Sequence, residues 1–313
     1  MKKEDFLNYS KKEILFILLF IASLVFNVSP AICLFTGLTF AICFGQVFPK
    51  TCSKVSKYLL QASVVGLGFG MNLYKALESG KDGMMFTIFS VVSVIILGVI
   101  IGRILKVNKK SAFLISAGTA ICGGSAIAAV APVVKAKNNE ILIALGTIFT
   151  LNAIALFIFP PIGHFFDMTQ KEFGMWAAIA IHDTSSVVGA GSAYGEKALE
   201  VATMVKLTRA LWIIPLSLVS MRIFREKSSK ISIPWFIFIF ILAVCVNTFF
   251  PLGKFGDFIY FLSKKGLSAT LFIIGGSLSI SVLKTVGVKP FIQGVILWIF
   301  IAIMSFSVIM LIE

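Results

Sequence analysis

His182 and Asp183 stand side by side inside a run of apolar and small residues, which is an expensive place for two ionisable groups. A charge buried there without partners costs several kcal/mol, so the pair needs one another, a cation, backbone amides or water. Two chemistries fit. Asp183 or His182 can take up and release a coupling proton, and Asp183, followed by Thr184, Ser185 and Ser186, can cap the start of a helix. The two roles are compatible. Further along, Lys206 and Arg209 lie three residues apart and therefore share one face of a helix. At about 1.5 Å per residue Arg209 sits roughly 20 Å from the basic end at Arg222, too far to snorkel to it, whereas Lys206 can reach the opposite surface. A guanidinium held in a cavity suits an oxyanion; the competing expectation is an ion pair with Asp183 or Glu200 that only supports packing.

A second polar interruption, Thr119-Ala-Ile-Cys122-Gly123-Gly124-Ser125, offers what an anion needs. Cys122, Gly123, Gly124 and Ser125 would open a half-helix whose free amides and positive dipole end face the midplane. Thr184, Ser185 and Ser186 would present amides and hydroxyls from the other interruption. Asn152, with Thr147 and Thr150, lies in the helix after the first interruption and is expected to line the same cavity, although Thr147 reads more simply as an interhelical hydrogen bond. No Walker lysine, HExxH or GxSxG occurs, and no His/Cys cluster has the spacing of metal ligands. Neither enzyme chemistry, a metal nor a cofactor is expected.

The elements that must position these residues are long and apolar. Apolar residues make up 58% of the chain and charged ones 13%, against about 45–50% and 25% in soluble domains. The apolar runs have the length of a bilayer-crossing helix and are apolar all round. Spans are expected at roughly 13–28, 31–48, 57–77, 84–105, 139–163, 200–223, 232–250, 256–284 and 290–311, with the polar-centred segments 111–134 and 173–195 in addition. The fold expected is therefore an all-α polytopic membrane protein with about 9–11 transmembrane helices. The net charge of +14 is not a nucleic-acid signature. Lys106, Lys109 and Lys110, and again Arg222, Arg225, Lys227 and Lys230, cluster between spans as cytoplasmic loops do. The basic start reads as a first span with a cytoplasmic N-terminus rather than a cleaved signal, and the five cysteines read as buried thiols.

Segments 111–134 and 173–195 are either broken spanning helices or re-entrant hairpins, because irregular backbone at membrane depth must be sheltered by protein or a wet cavity. Lys109 and Lys110 before the first, and Lys135 and Lys137 after it, favour the hairpin, which keeps all four on one side. Leu60-Gln-Ala-Ser-Val-Val-Gly-Leu-Gly-Phe-Gly-Met-Asn-Leu73 reads like Leu267-Ser-Ala-Thr-Leu-Phe-Ile-Ile-Gly-Gly-Ser-Leu-Ser-Ile280, and the two run in opposite directions. Each polar-centred segment is also followed by one long helix. Inverted repeats are thus expected, as two pseudo-symmetric halves of a single domain, roughly 1–165 and 166–313.

Four phrases in order carry a resemblance: Ala117-Gly-Thr-Ala-Ile-Cys-Gly-Gly-Ser-Ala-Ile-Ala-Ala-Val-Ala-Pro132, Ile181-His-Asp-Thr-Ser-Ser-Val-Val-Gly-Ala190, Val205-Lys-Leu-Thr-Arg-Ala-Leu-Trp212 and the glycine-rich stretch Gly66-Leu-Gly-Phe-Gly70. Over nearly the whole chain the sequence resembles the YeiH-type family of sulfate exporters. That resemblance implies a transporter of the bacterial inner membrane, distantly related to cation/proton antiporters and anion transporters, with inverted repeats and a homodimeric state. The expectation is a secondary transporter exporting a small anion, sulfate-like or an organic acid, by alternating access. Cys122, Gly123, Gly124, Ser125, Asn152, Thr184, Ser185, Ser186, Lys206 and Arg209 would bind substrate, and His182 or Asp183 would couple H⁺. Partners are the substrate, the coupling ion and membrane lipid. Two alternatives stand beside it: a Na⁺/proton antiporter using Asp183 with Arg209 as its structural partner, and a receptor or assembly component without transport.

Overall fold

The computed structural model describes residues 11–26, 28, 30–224, 235–250, 252–277 and 287–312. The basic start at 1–10, the loop bearing Arg225, Lys227 and Lys230, and the end of the second repeat at Leu278 and Ile280 lie outside the described residues. In chain order the helices begin with α1 (Lys11–Val25), α2 (Pro30–Phe44), α3 (Pro49–Leu67), α4 (Leu73–Ile104) and α5 (Lys109–Ala120). Next come α6 (Gly124–Val133), α7 (Asn138–Phe165), α8 (Gln170–Ala180), α9 (Thr184–Tyr194) and α10 (Glu196–Ala210). The last are α11 (Ile213–Ile223), α12 (Phe236–Phe249), α13 (Lys254–Ser277) and α14 (Val288–Ile312). Among the described residues five stretches are long and apolar enough to cross a membrane: Thr87–Ile104, Asn138–Phe165, Glu196–Ile223, Lys254–Ser277 and Val288–Leu311.

The chain forms two compact units, and each draws on both ends of the sequence: 1–72 with 236–279, and 73–235 with 280–313. In the first unit α13 packs along α2, α3 and α1, while α12 packs on α3. Glycine sets these contacts. A Cβ on Gly37 would collide with the Phe272 carbonyl and one on Gly275 with that of Leu34, so α2 and α13 touch backbone to backbone. Between α3 and α13 the contact is reciprocal: Gly66 leaves room for the Ser263 hydroxyl, and Gly266 leaves room for that of Ser63. The expected span 57–77 is not one helix. After Leu67 the chain tightens into a 3₁₀ turn, Gly68–Gly70, and α4 starts afresh at Leu73. Three glycines in five residues hold a helix weakly, and Gly68 and Gly70 are pinned against Phe240 and Tyr260.

The second unit settles the choice between broken spans and hairpins. Lys110, at the start of α5, donates from Nζ to the carbonyl of Lys135, just past α6, at 2.6 Å. One helix over those residues would hold them about 38 Å apart. Segment 111–134 is therefore a helical hairpin, α5–α6. Segment 173–195 is another, α8–α9. Tyr194 donates its hydroxyl to the Met168 carbonyl at 2.5 Å and stacks on Phe173 at 3.8 Å, bringing the end of α9 to the start of α8. A capping box of Thr169 and Glu172 starts α8, and Asn108 caps α5. Helix α7 runs unbroken from the open end of the first hairpin to that of the second; its 28 residues span about 42 Å. The hairpins thus enter from opposite ends, each reaching half-way.

Candidate functional site

Asn152 sits near the middle of α7, where the hairpin tips meet. Its Oδ1 accepts the backbone amides of His182 at 3.1 Å and Asp183 at 3.2 Å. In an unbroken helix the His182 amide would close on the Ala178 carbonyl. Here Asn152 takes the amide, and the carbonyl goes to Lys206, whose Nζ lies 3.2 Å from it. The same ammonium donates to the carbonyls of Ile181 at 2.7 Å and Ile121 at 3.1 Å. Arg209 donates from Nε and Nη2 to the Ala120 carbonyl at 3.0 and 2.6 Å. Both cations are buried, 0% and 1% exposed. They close the C-terminal ends of α5 and α8, whose orphan carbonyls carry partial negative charge.

The bracing is crossed. The helix after the first hairpin, α7, holds the break of the second, and the helix after the second, α10, holds the break of the first through Ala120 and Ile121. The tips themselves touch: a Cβ on Gly123 would lie 3.4 Å from the backbone of Asp183, and Gly123 has a φ of 61°, a conformation that favours glycine. Buried Cys122 precedes it, within electrostatic range of both cations.

The two half-helix N-termini differ. Asp183 caps α9, accepting the Ser185 amide at 3.1 Å and the Ser185 hydroxyl on the same Oδ2. The cap of α6 is Gly123, which offers no side-chain acceptor; Gly124 is half-buried and Ser125 exposed. Gly123 therefore gives the first amides of α6 no side-chain cap, and the neighbouring Cys122 thiol accepts that of Ala126. Thr184, Ser185 and Ser186 are buried on α9, and Asp183 is half-buried beside them. His182 is buried with both ring nitrogens unpartnered among the described residues, as are Arg209 Nη1 and Asn152 Nδ2. Around the junction Gly124, Ser125 and Asp183 are at least partly accessible, whereas Lys206, Arg209, His182 and Cys122 are buried.

The ion pair of Arg209 with Asp183 or Glu200 does not form. Glu200 pairs with Lys197 at 2.8 Å, and Asp183 is taken up by Ser185. Thr147 donates to the Ile143 carbonyl of its own helix. His164 stacks on Tyr194 at 4.2 Å. Sequence reasoning missed Gln293. Fully buried in α14, it donates to the carbonyls of Gly98 at 3.0 Å and Ala112 at 3.1 Å, tying α4 and α5 together. Its signal was a lone amide side chain in an otherwise apolar span.

Fold and junction together define a polytopic helical membrane protein built around two opposed hairpins with cations sealed into their crossing. The chain belongs to the family described as Conserved hypothetical protein 698, whose model matches residues 14–294, in accord with the YeiH-type resemblance. It is 60% identical over 283 residues to a UPF0324 membrane protein of Bacteroides thetaiotaomicron, covering 90% of this chain and 86% of the relative. A UPF0324 membrane protein of Porphyromonas gingivalis is 55% identical over 289 residues, with 91% and 88% covered. One from Vibrio parahaemolyticus is 49% identical over 287 residues, with 90% and 92% covered. No solved structure matches the chain significantly.

Proposed function

We propose that this membrane protein is a secondary transporter that exports a small anion, a sulfate-like oxyanion or an organic acid, by alternating access across the bacterial cytoplasmic membrane. It would work as a homodimer with its N-terminus inside, coupled to protons through Asp183 or His182. The observation that carries the reading is the charge balance at the junction: among the described residues no carboxylate is bonded to buried Lys206 or Arg209, which hold Ala120 and Ile121 just before the start of α6, whose N-cap Gly123 supplies no side-chain acceptor. Fixed positive charge behind free amides favours an anion in front of them. The cation-antiporter reading is less well supported, because the carbonyls a Na⁺ ion would use are already bonded to Lys206 and Arg209.

The test is thermal stability of the purified protein at constant ionic strength across a panel of anions, with Na⁺ against K⁺, alongside uptake into proteoliposomes under a pH gradient. A ligand bound only by the folded state raises the melting temperature with occupancy. The informative variant is Ser125→Asp. Ser125 is exposed in the first turn of α6, so the added carboxylate suits the helix end while filling the anion's seat. Wild type should respond to an oxyanion and the variant should not, with its basal stability kept. An unchanged response in the variant would remove the seat from α6. Stabilisation by Na⁺ alone would replace the anion reading with the antiporter, and no response to any ion would favour a role without transport.

A further inference from the structure

The contacts of Lys206 have a second meaning, independent of which solute the protein moves. Its three N–H donors meet three backbone carbonyls, Ile181 at 2.7 Å, Ile121 at 3.1 Å and Ala178 at 3.2 Å. The three come from the breaks of two different hairpins, and among the described residues no carboxylate is bonded to the ammonium. A ring of carbonyl oxygens at such distances is how proteins replace the hydration shell of a desolvated monovalent cation. Two helix C-termini converging in an apolar interior need one positive charge at their meeting point, whatever its source. The neighbouring carbonyl of Ala120 is served separately by Arg209.

We propose that the junction is a monovalent-cation site which the chain fills with its own tethered ammonium. The wild-type protein needs no free Na⁺ or K⁺ to hold its hairpins together, and removing the Lys206 side chain beyond Cβ converts the junction into a site that takes one. The hairpin crossing is thereby uncoupled from the cation gradients of the cell. Any coupling to Na⁺ or K⁺ must run through the accessible layer around Asp183 rather than through the carbonyl crossing.

The experiment compares wild type, Lys206→Ala and Lys206→Met by thermal unfolding in detergent. Chloride salts of K⁺, Na⁺, ammonium and n-propylammonium, the fragment that Lys206→Ala deletes, are titrated against N-methylglucamine at constant ionic strength. Chloride is held fixed, so the two variants test the cation site without touching the anion reading, which fails alone in the anion panel; stabilisation of wild type by Na⁺ would count against both. Wild type should melt at one temperature in all five salts. Lys206→Ala should melt markedly lower in N-methylglucamine and recover most of the loss, saturably, in n-propylammonium and in K⁺ or ammonium. Lys206→Met fills the volume with an apolar stem and should stay low in every salt. The proposal is overturned if Lys206→Ala melts alike in all salts, if Lys206→Met responds as the alanine variant does, or if wild type itself is saturably stabilised by Na⁺ or K⁺. Failure of Lys206→Ala to fold in cells, where K⁺ is abundant, also counts against it.

Discussion

Replacing Asn152 by leucine, which has the same number of side-chain heavy atoms and the same branching, removes one acceptor and orphans two amides. The His182 amide is wholly buried, and the Asp183 amide is partly so. An unsatisfied buried amide costs about 1–3 kcal/mol. Water can approach on the half-buried Asp183 side, which places that amide at the low end and the pair at about 3 kcal/mol. For a chain of this size such a loss lowers the melting temperature by about 4–5 °C. The cost falls on the break itself, so amide exchange there should speed up by about two orders of magnitude if opening is local. The assay is hydrogen–deuterium exchange of a peptide covering 177–187, read with thermal unfolding in detergent. Thr147→Val is the control: its hydroxyl serves only the Ile143 carbonyl of its own helix, and its loss should change stability by less than about 0.5 kcal/mol. Unchanged exchange at the break in Asn152→Leu would refute the crossed bracing of the hairpins.

Three further outcomes follow from the geometry. Arg209→Lys keeps the charge but cannot serve Ala120 through two nitrogens, and should cost about 2 kcal/mol in thermal unfolding. Gly37→Val forces α2 away from the Phe272 carbonyl and should cost about 3 kcal/mol, seen as poor recovery of monodisperse protein and a lower melting temperature. Glu172→Ala breaks the capping box that starts α8, where its carboxylate accepts the Thr169 amide, and should cost about 1 kcal/mol without changing ligand response.

The membrane fold was legible because apolar runs of bilayer length depend on the solvent, which the sequence alone specifies. The polar interruptions at Cys122 and His182 were legible for the same reason: small and ionisable residues stand out in an apolar run. Charge pattern favoured hairpins, and the bond of Lys110 to Lys135 shows why Lys109, Lys110, Lys135 and Lys137 share one end. What Lys206 and Arg209 bind was not legible. Each side chain was expected to meet a substrate or a carboxylate, yet their partners are carbonyls, which every residue carries and no residue type announces. Asn152 was placed at the site but with its role turned round: it holds the protein's own backbone. The halt of α3 at Leu67 fell inside an expected span because the apolar run continues through Gly68 and Gly70; the glycines weaken the helix there, and their packing against Phe240 and Tyr260 completes the break.

The reciprocal seating of serine on glycine between α3 and α13 constrains how this sequence can drift. Ser63 faces Gly266 and Ser263 faces Gly66, so each helix carries one bump and one hollow at the same three-residue interval. Neither hollow can gain a carbon unless the opposing bump loses one, and a change on either helix alone meets a wall. Positions 63 and 266, and separately 66 and 263, should therefore covary among relatives, trading volume across the pair while its sum stays constant. Two residues some two hundred positions apart would then leave in an alignment the trace of a single contact.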